Sequence, residues 1–172
     1  MKKIFAIAAV LAAAGAGCGY HVAGRADLVP KNIKTIAIPA FGNATTRYAL
    51  ARRLPADITR EFISRTHYAV VADPREADAV LNGAVVNYFA YPTTSDPVSG
   101  RATGVQVVAT LSLSFTDRHT GKVIYSNPRV EYREQYEIPT DPTAYFDESG
   151  TAIERLSHDV ARDVVSSILE AF

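Results

Sequence analysis

The chain has 172 residues, 18 basic and 18 acidic side chains, one cysteine and no tryptophan. That length suits one domain with a core of its own, and 48% hydrophobic residues is too apolar for intrinsic disorder. Zero formal net charge argues against a general nucleic-acid binder, and a single cysteine excludes a disulfide framework and the cysteine-rich metal modules.

Lys2 and Lys3 precede the apolar run Ile4 to Ala14, followed by Gly15-Ala16-Gly17 and Cys18. A positive start, a short apolar stretch and small residues form a secretory signal, and the stretch is too short to span a bilayer as a helix. The placement of Cys18 resembles the bacterial lipobox, in which the cysteine is acylated and becomes the new N-terminus. A lipobox usually has Leu three places before the cysteine, where this chain has Gly15. Ordinary signal cleavage beside an incidental cysteine is therefore the alternative. Cleavage before Cys18 removes both lysines and leaves a small acidic surplus. Two or more acyl chains, palmitate among them, anchor a protein stably where one holds it only marginally. Gly19 follows the cysteine, where Asp is the usual inner-membrane retention signal, so the pair resembles an outer-membrane address. The expected division is a signal peptide over 1–17, a lipidated tether over 18–32 and one domain over 33–172.

Ile33 to Ile38 alternates and is β-branched, which predicts a strand ended by Pro39. Gly42-Asn43-Ala44-Thr45 reads as a loop. Over Arg47–Arg65, Leu50, Leu54, Ile58 and Phe62 recur at four-residue steps and line one helix face, with Pro55 expected to kink or restart it. Tyr68–Ala72 reads as a short strand. Val80–Tyr91 reads as a longer one, with Gly83 marking a bulge or a close neighbour. Residues 92–104, with two Pro and two Gly, read as a long exposed loop. From Val105 to Thr116, apolar Val105, Val107, Ala109, Leu111, Leu113 and Phe115 alternate with a mostly hydroxylated set. This is the pattern of an antiparallel strand with one face on a core. Residues 117–122 form a hairpin loop with Gly121, and Val123–Tyr136 returns as a strand in which Pro128 demands an edge or a bulge. An acidic irregular loop covers 137–150. Thr151 and Glu154 form a capping-box pattern before a stripe of Ile153, Leu156, Val160, Val164 and Ile168. The fold class expected is α+β: a two-layer sandwich, two helices on one face of a mostly antiparallel four- to five-stranded sheet.

The four histidines show no metal-ligand spacing, and no nucleophile elbow, phosphate loop or dinucleotide fingerprint occurs. Asp57 and Glu61 lie one helical turn apart, as many solvated carboxylates do. Ser112 and Ser114 have no base nearby in sequence. The Asn43-Ala44-Thr45 sequon is coincidental beside a bacterial signal. The chain reads as non-enzymatic, with no metal and no cofactor beyond the lipid on Cys18.

Cys18-Gly19-Tyr20-His21-Val22 resembles the Cys-Gly-Tyr/Trp-His-Leu opening of the LptE family of lipopolysaccharide (LPS)-assembly lipoproteins, and Leu28 to Ile38 is similar to that family's entry into its first strand. The resemblance implies a lipid-anchored outer-membrane protein facing the periplasm. It would plug and help assemble the β-barrel LPS translocon (an LptD-like partner) and assist LPS insertion, with no nucleic-acid partner. The hydroxylated face of 105–116 would suit a wet barrel lumen as well as bulk solvent. Guanidinium and ammonium groups are the natural contacts for lipid A phosphates. Arg101, in the loop before the long strand where some family members are basic, is the first candidate. Arg118 and Lys122 of the opposite hairpin loop, and Arg129 and Arg133 of the returning strand, are the others. The loop 137–150 departs from the family, having four carboxylates and no Lys or Arg. A second likeness points elsewhere. Ile36 to Asn43 resembles the I-A-x-x-P-F-x-N strand of lipoproteins that activate cell-wall synthases or build other secretion pores. A lipid-anchored hydrolase is a third reading, without any motif.

Overall fold

The structure is a computed structural model that describes residues 33–139 and 149–171. The expected signal, the lipidated Cys18, the tether and most of the acidic loop lie outside the described residues.

The element order is β1 (Thr35–Ala37), β2 (Gly42–Asn43), α1 (Tyr48–Arg65), β3 (Ala69–Val71), a 3-10 turn (Pro74–Glu76), β4 (Ala79–Ser95), β5 (Ala102–Asp117), β6 (Val123–Glu137) and α2 (Ser149–Glu170). Six strands form one sheet in the order β3-β1-β4-β5-β6, with β2 also on β4. The sheet is mixed, which corrects the expected mostly antiparallel four to five strands. β1 pairs in parallel with both β3 and β4, and β2 pairs in parallel with β4. Parallel neighbours need a crossover, and α1 supplies it between β1 and β3. Gly42-Asn43, expected as loop, is the strand β2, which resumes after Pro39 the parallel pairing that β1 makes with β4.

Pro55 neither ends nor restarts α1, which runs unbroken from Tyr48 to Arg65. Leu50, Leu54, Ile58 and Phe62 are all fully buried. Packing that apolar stripe outweighs the lost backbone bond, a cost of about 3 kcal/mol. Thr66 ends the helix, its hydroxyl and amide both donating to the Phe62 carbonyl. At the other helix the expected capping box is absent. α2 begins at Ser149, so Thr151 already lies inside it, and Glu154 pairs with Arg53 of α1 at 2.7 Å instead.

Both helices pack on one face of the sheet. Leu81, Val85, Leu111, Leu113 and Phe115 meet Leu50, Leu54, Ile58 and Phe62 of α1 and Leu156, Val160, Val164 and Ile168 of α2 in one core. The rings of Phe62 and Phe115 lie 6.4 Å apart. Gly83 is the close neighbour its sequence suggested: a Cβ there would stand 2.4 Å from the Phe41 ring. β6 is an edge strand with a register shift around Pro128, so both options read from that proline are met.

The largest departure concerns residues 92–104. β4 continues to Ser95 and β5 starts at Ala102, leaving a turn of only 96–101. Pro92 is accommodated because β1 and β2 flank only the first part of β4, so from Val86 onward β4 has β5 alone beside it among the described residues.

Candidate functional site

Beyond β2 the sheet narrows to an arm of β4, β5 and β6. Its inner side faces α2, with Tyr132 donating to Asp163 at 2.7 Å and Arg155 to Glu134 at 2.7 Å. Burial first, and the Asp163 bond second, push the Tyr132 hydroxyl pKa far up. Among the described residues the outer side carries no helix. Strand register places its side chains in cross-strand rows: Asn87, Thr110 and Glu131; Phe89, Val108 and Arg133; Tyr91, Gln106 and Gln135. The expected alternation of β5 is present, but its outer face is not a plain hydroxyl surface. Phe89 and Tyr91 stack at 5.9 Å with 22° between rings, and both stay exposed. Val108 and Thr110 between the flanking strands are buried. Tyr91 donates to Gln106 Oε1 at 2.5 Å, and Gln135 Nε2 donates to Thr93 Oγ1 at 3.0 Å. That last bond passes from β6 to β4 over Gly104, which has no side chain to block it.

The two ends of the arm differ. At the β4–β5 turn, Gly100 takes φ +68°, and Asp96 accepts from Ser99 N, Ser99 Oγ and Val98 N. Those bonds, the Ser99 amide foremost, hold the Asp96 carboxyl below its usual range. Arg101 is exposed on this turn, and its guanidinium has no hydrogen bond or ion pair among the described residues. Asp96, Val98, Ser99, Arg101, Ala102 and Pro139 line a shallow depression of about 340 Å³. At the β5–β6 turn the cations are used differently. Arg118 donates to the carbonyls of Arg75 at 2.7 Å and Ala77 at 3.1 Å. His119 Nε2 lies 2.9 Å from Asp78 Oδ1, while Asp78 Oδ2 accepts from Lys34 N and Thr35 N. The His119 bond, then those amides, hold the Asp78 carboxyl far below the carboxylate range. Asp78 therefore pins the entry of β1, the start of β4 and the hairpin loop together.

The structure does not gather the five candidate cations into one patch. Arg101 is at one end of β5, with Arg118 and Lys122 at the other, about 50 Å away at ~3.4 Å per residue. Arg133 sits mid-face, 3.4 Å from Glu131, and Arg129 is exposed beside the Pro128 irregularity. Sequence reasoning missed Asp78, Tyr132 and the Phe89–Tyr91 pair, whose partners are distant in sequence or separated by a strand position. Asp57 is buried and bonded to Ser157, Arg60 and Arg53; Glu61 pairs with Arg65. Ser114 shares a hydrogen bond with Thr116 on the outer face. The Asn43 amide is tied into a turn with Thr45. No group of His, Cys, Asp or Glu among the described residues could hold a metal, and none of the described helices is long and apolar enough to cross a membrane. Ile36 and Ala37 are fully buried and Phe41 covers Gly83, so the Ile36–Asn43 motif is occupied with packing.

The family model for LptE, lipopolysaccharide assembly, matches residues 33–168, nearly the whole described fold. The chain belongs to the LptE family. No curated protein matches it. Among solved structures it is similar to uncharacterized lipoprotein B from Nitrosomonas europaea, at 14% identity over 86% of this chain and 88% of that one, TM-score 0.56. It is also similar to rare lipoprotein B from Shewanella oneidensis, at 13% identity over 79% and 94%, TM-score 0.53. PelC from Paraburkholderia phytofirmans, solved as a dodecamer, gives 17% identity over 80% and 88%, TM-score 0.53. At such identities the likeness is one of fold. LptE membership makes this an LPS-assembly protein in general terms.

Proposed function

We propose that this LptE-family chain is an outer-membrane lipoprotein, anchored through acylated Cys18 after removal of residues 1–17. In this reading residues 33–172 are one domain that plugs an LptD-like translocon barrel and supports its assembly. It assists LPS insertion by binding and support, without catalytic turnover. The family match over residues 33–168 carries the reading. The sandwich supports it physically, because its helices cover one sheet face and leave a rigid, mostly polar one for a wet lumen. Arg101, exposed at the arm tip with its guanidinium in no hydrogen bond or ion pair among the described residues, is the preferred lipid A phosphate contact.

Crosslinked co-purification from outer membranes tests this. A large β-barrel protein in near-stoichiometric yield, with loss of surface LPS on deletion, is the expected result. Capture of a cell-wall synthase instead, with LPS export intact, would overturn it.

A further inference from the structure

We propose that the outer face of the arm, at the rows Phe89–Val108–Arg133 and Tyr91–Gln106–Gln135, binds the oligosaccharide part of lipopolysaccharide. The choice of lipopolysaccharide as the source rests on the function proposed above. The saccharide chemistry rests on the face itself.

Pyranose rings are amphiphilic, with flat C–H faces and hydroxyl rims. This surface has the matching pair of features. Phe89 and Tyr91 present a stacked pair of rings, 22° from parallel and 44% and 40% exposed, above a floor whose central Val108 is buried. Beside the rings stand two amides held in place. Gln106 Oε1 is engaged by the Tyr91 hydroxyl and Gln135 Nε2 by Thr93. Each amide therefore keeps half its capacity open among the described residues: two N–H donors on Gln106, and an acceptor oxygen on Gln135. A donor and an acceptor side by side suit hydroxyls, which do both.

Charge narrows the ligand. Arg133 and Glu131 stand 3.4 Å apart and offset each other, so these rows hold no surplus cation for a phosphate and no surplus anion for a basic peptide. Size narrows it too. Continuing up the arm, Thr94, Gly104, Gln135, Tyr136, Glu137 and Arg155 line a recess of about 400 Å³, within the ~300–1,000 Å³ range of small-ligand sites. Tyr136 and Arg155 carry that recess round to the α2 side of the sheet, and Gln135 is the residue it shares with the rows.

The chain has no tryptophan, so Phe89→Trp installs a single reporter on the face. The full-length protein carrying it is titrated in detergent with lipid-free, dephosphorylated core oligosaccharide, with cell-wall glycan fragments, and with inorganic phosphate. A saturable fluorescence change with core oligosaccharide alone is expected. Gln106→Ala should weaken it roughly fivefold to tenfold, the range for one lost hydrogen bond. Gln106→Glu, which keeps the Tyr91 bond and removes the N–H donors, should do the same, and Arg52→Ala on α1 should not. Thermal melts separate loss of binding from loss of fold, and Gln106→Glu decides if Gln106→Ala fails to fold. No saturable response, an equal response from phosphate or cell-wall glycan, or indifference to both Gln106 changes would overturn the proposal. A barrel captured by a photocrosslinker at Phe89 from a chain that ignores oligosaccharide would make the face a protein contact and overturn it as well. Oligosaccharide binding by a chain that captures no barrel would overturn the function above and leave the saccharide face standing.

Discussion

Ser157 of α2 donates to Asp57 Oδ2 of α1 at 2.5 Å, and both side chains are buried. This bond joins two helices that otherwise meet through apolar stripes, the exposed Arg53–Glu154 pair and the Arg65–Ser166 bond. Ser157→Ala is expected to cost about 2 kcal/mol, the usual value for a hydrogen bond to a charged group. Equilibrium urea unfolding checks it. Glu154→Ala, which breaks an exposed pair with Arg53, should cost under about 1 kcal/mol.

Gly83 and Phe41 are the second pair. Gly83→Ala places a methyl group 2.4 Å from the Phe41 ring, which is packed against the core. A destabilisation of about 1–3 kcal/mol is expected, typical of overpacking. Combining it with Phe41→Ala should be clearly less than additive, because the clash is then gone.

Asp78 yields a pH dependence. Its carboxyl is held well below the ordinary carboxylate value by His119 and the Lys34 and Thr35 amides. A depressed folded-state pKa adds stability that is present above the unfolded value, near 4, and is lost as pH falls through the folded one. Tm of the protein should therefore drop as pH falls below about 4. Asp78→Ala should lower Tm by several degrees at pH 7 and flatten that acid limb. An unchanged acid limb would remove Asp78 from the account.

The two arginines of the hairpin turns should separate function from fold. Arg118→Ala removes both carbonyl contacts of the side chain and should lower Tm. Arg101→Ala breaks no side-chain hydrogen bond or ion pair among the described residues, so Tm should hold while LPS binding falls about tenfold, as expected for one phosphate contact. Thermal melts and LPS pull-down on both variants decide this.

Much of the fold was legible because periodicity is local. The alternation of residues 105–116, the stripe of Leu50, Leu54, Ile58 and Phe62, and the meanings of Gly83 and Pro128 all follow from neighbours within a few positions. Residues 92–104 misled because Pro, Gly, Ser and Thr resemble a loop wherever pairing with a partner strand is not considered. The parallel strands escaped notice because β1 finds its neighbours only after α1 has crossed over. The site was less legible still. Arg101 was singled out because some members of the resembled family are basic before that strand, while the Asp78 node and the Gln135–Thr93 bond join residues about forty positions apart. Phe89 and Tyr91 alternate with Tyr88 and Ala90, and only the register decides which pair faces outward.

Asp78 also sets where the chain enters the fold. Ile33 and Lys34 come in beside the β5–β6 turn, so Arg101 stands at the far end of a sixteen-residue strand. The arm is thus a gauge of reach. Excising two residues from each of β4, β5 and β6 would keep every side chain on its own face and draw the tip back by about 7 Å.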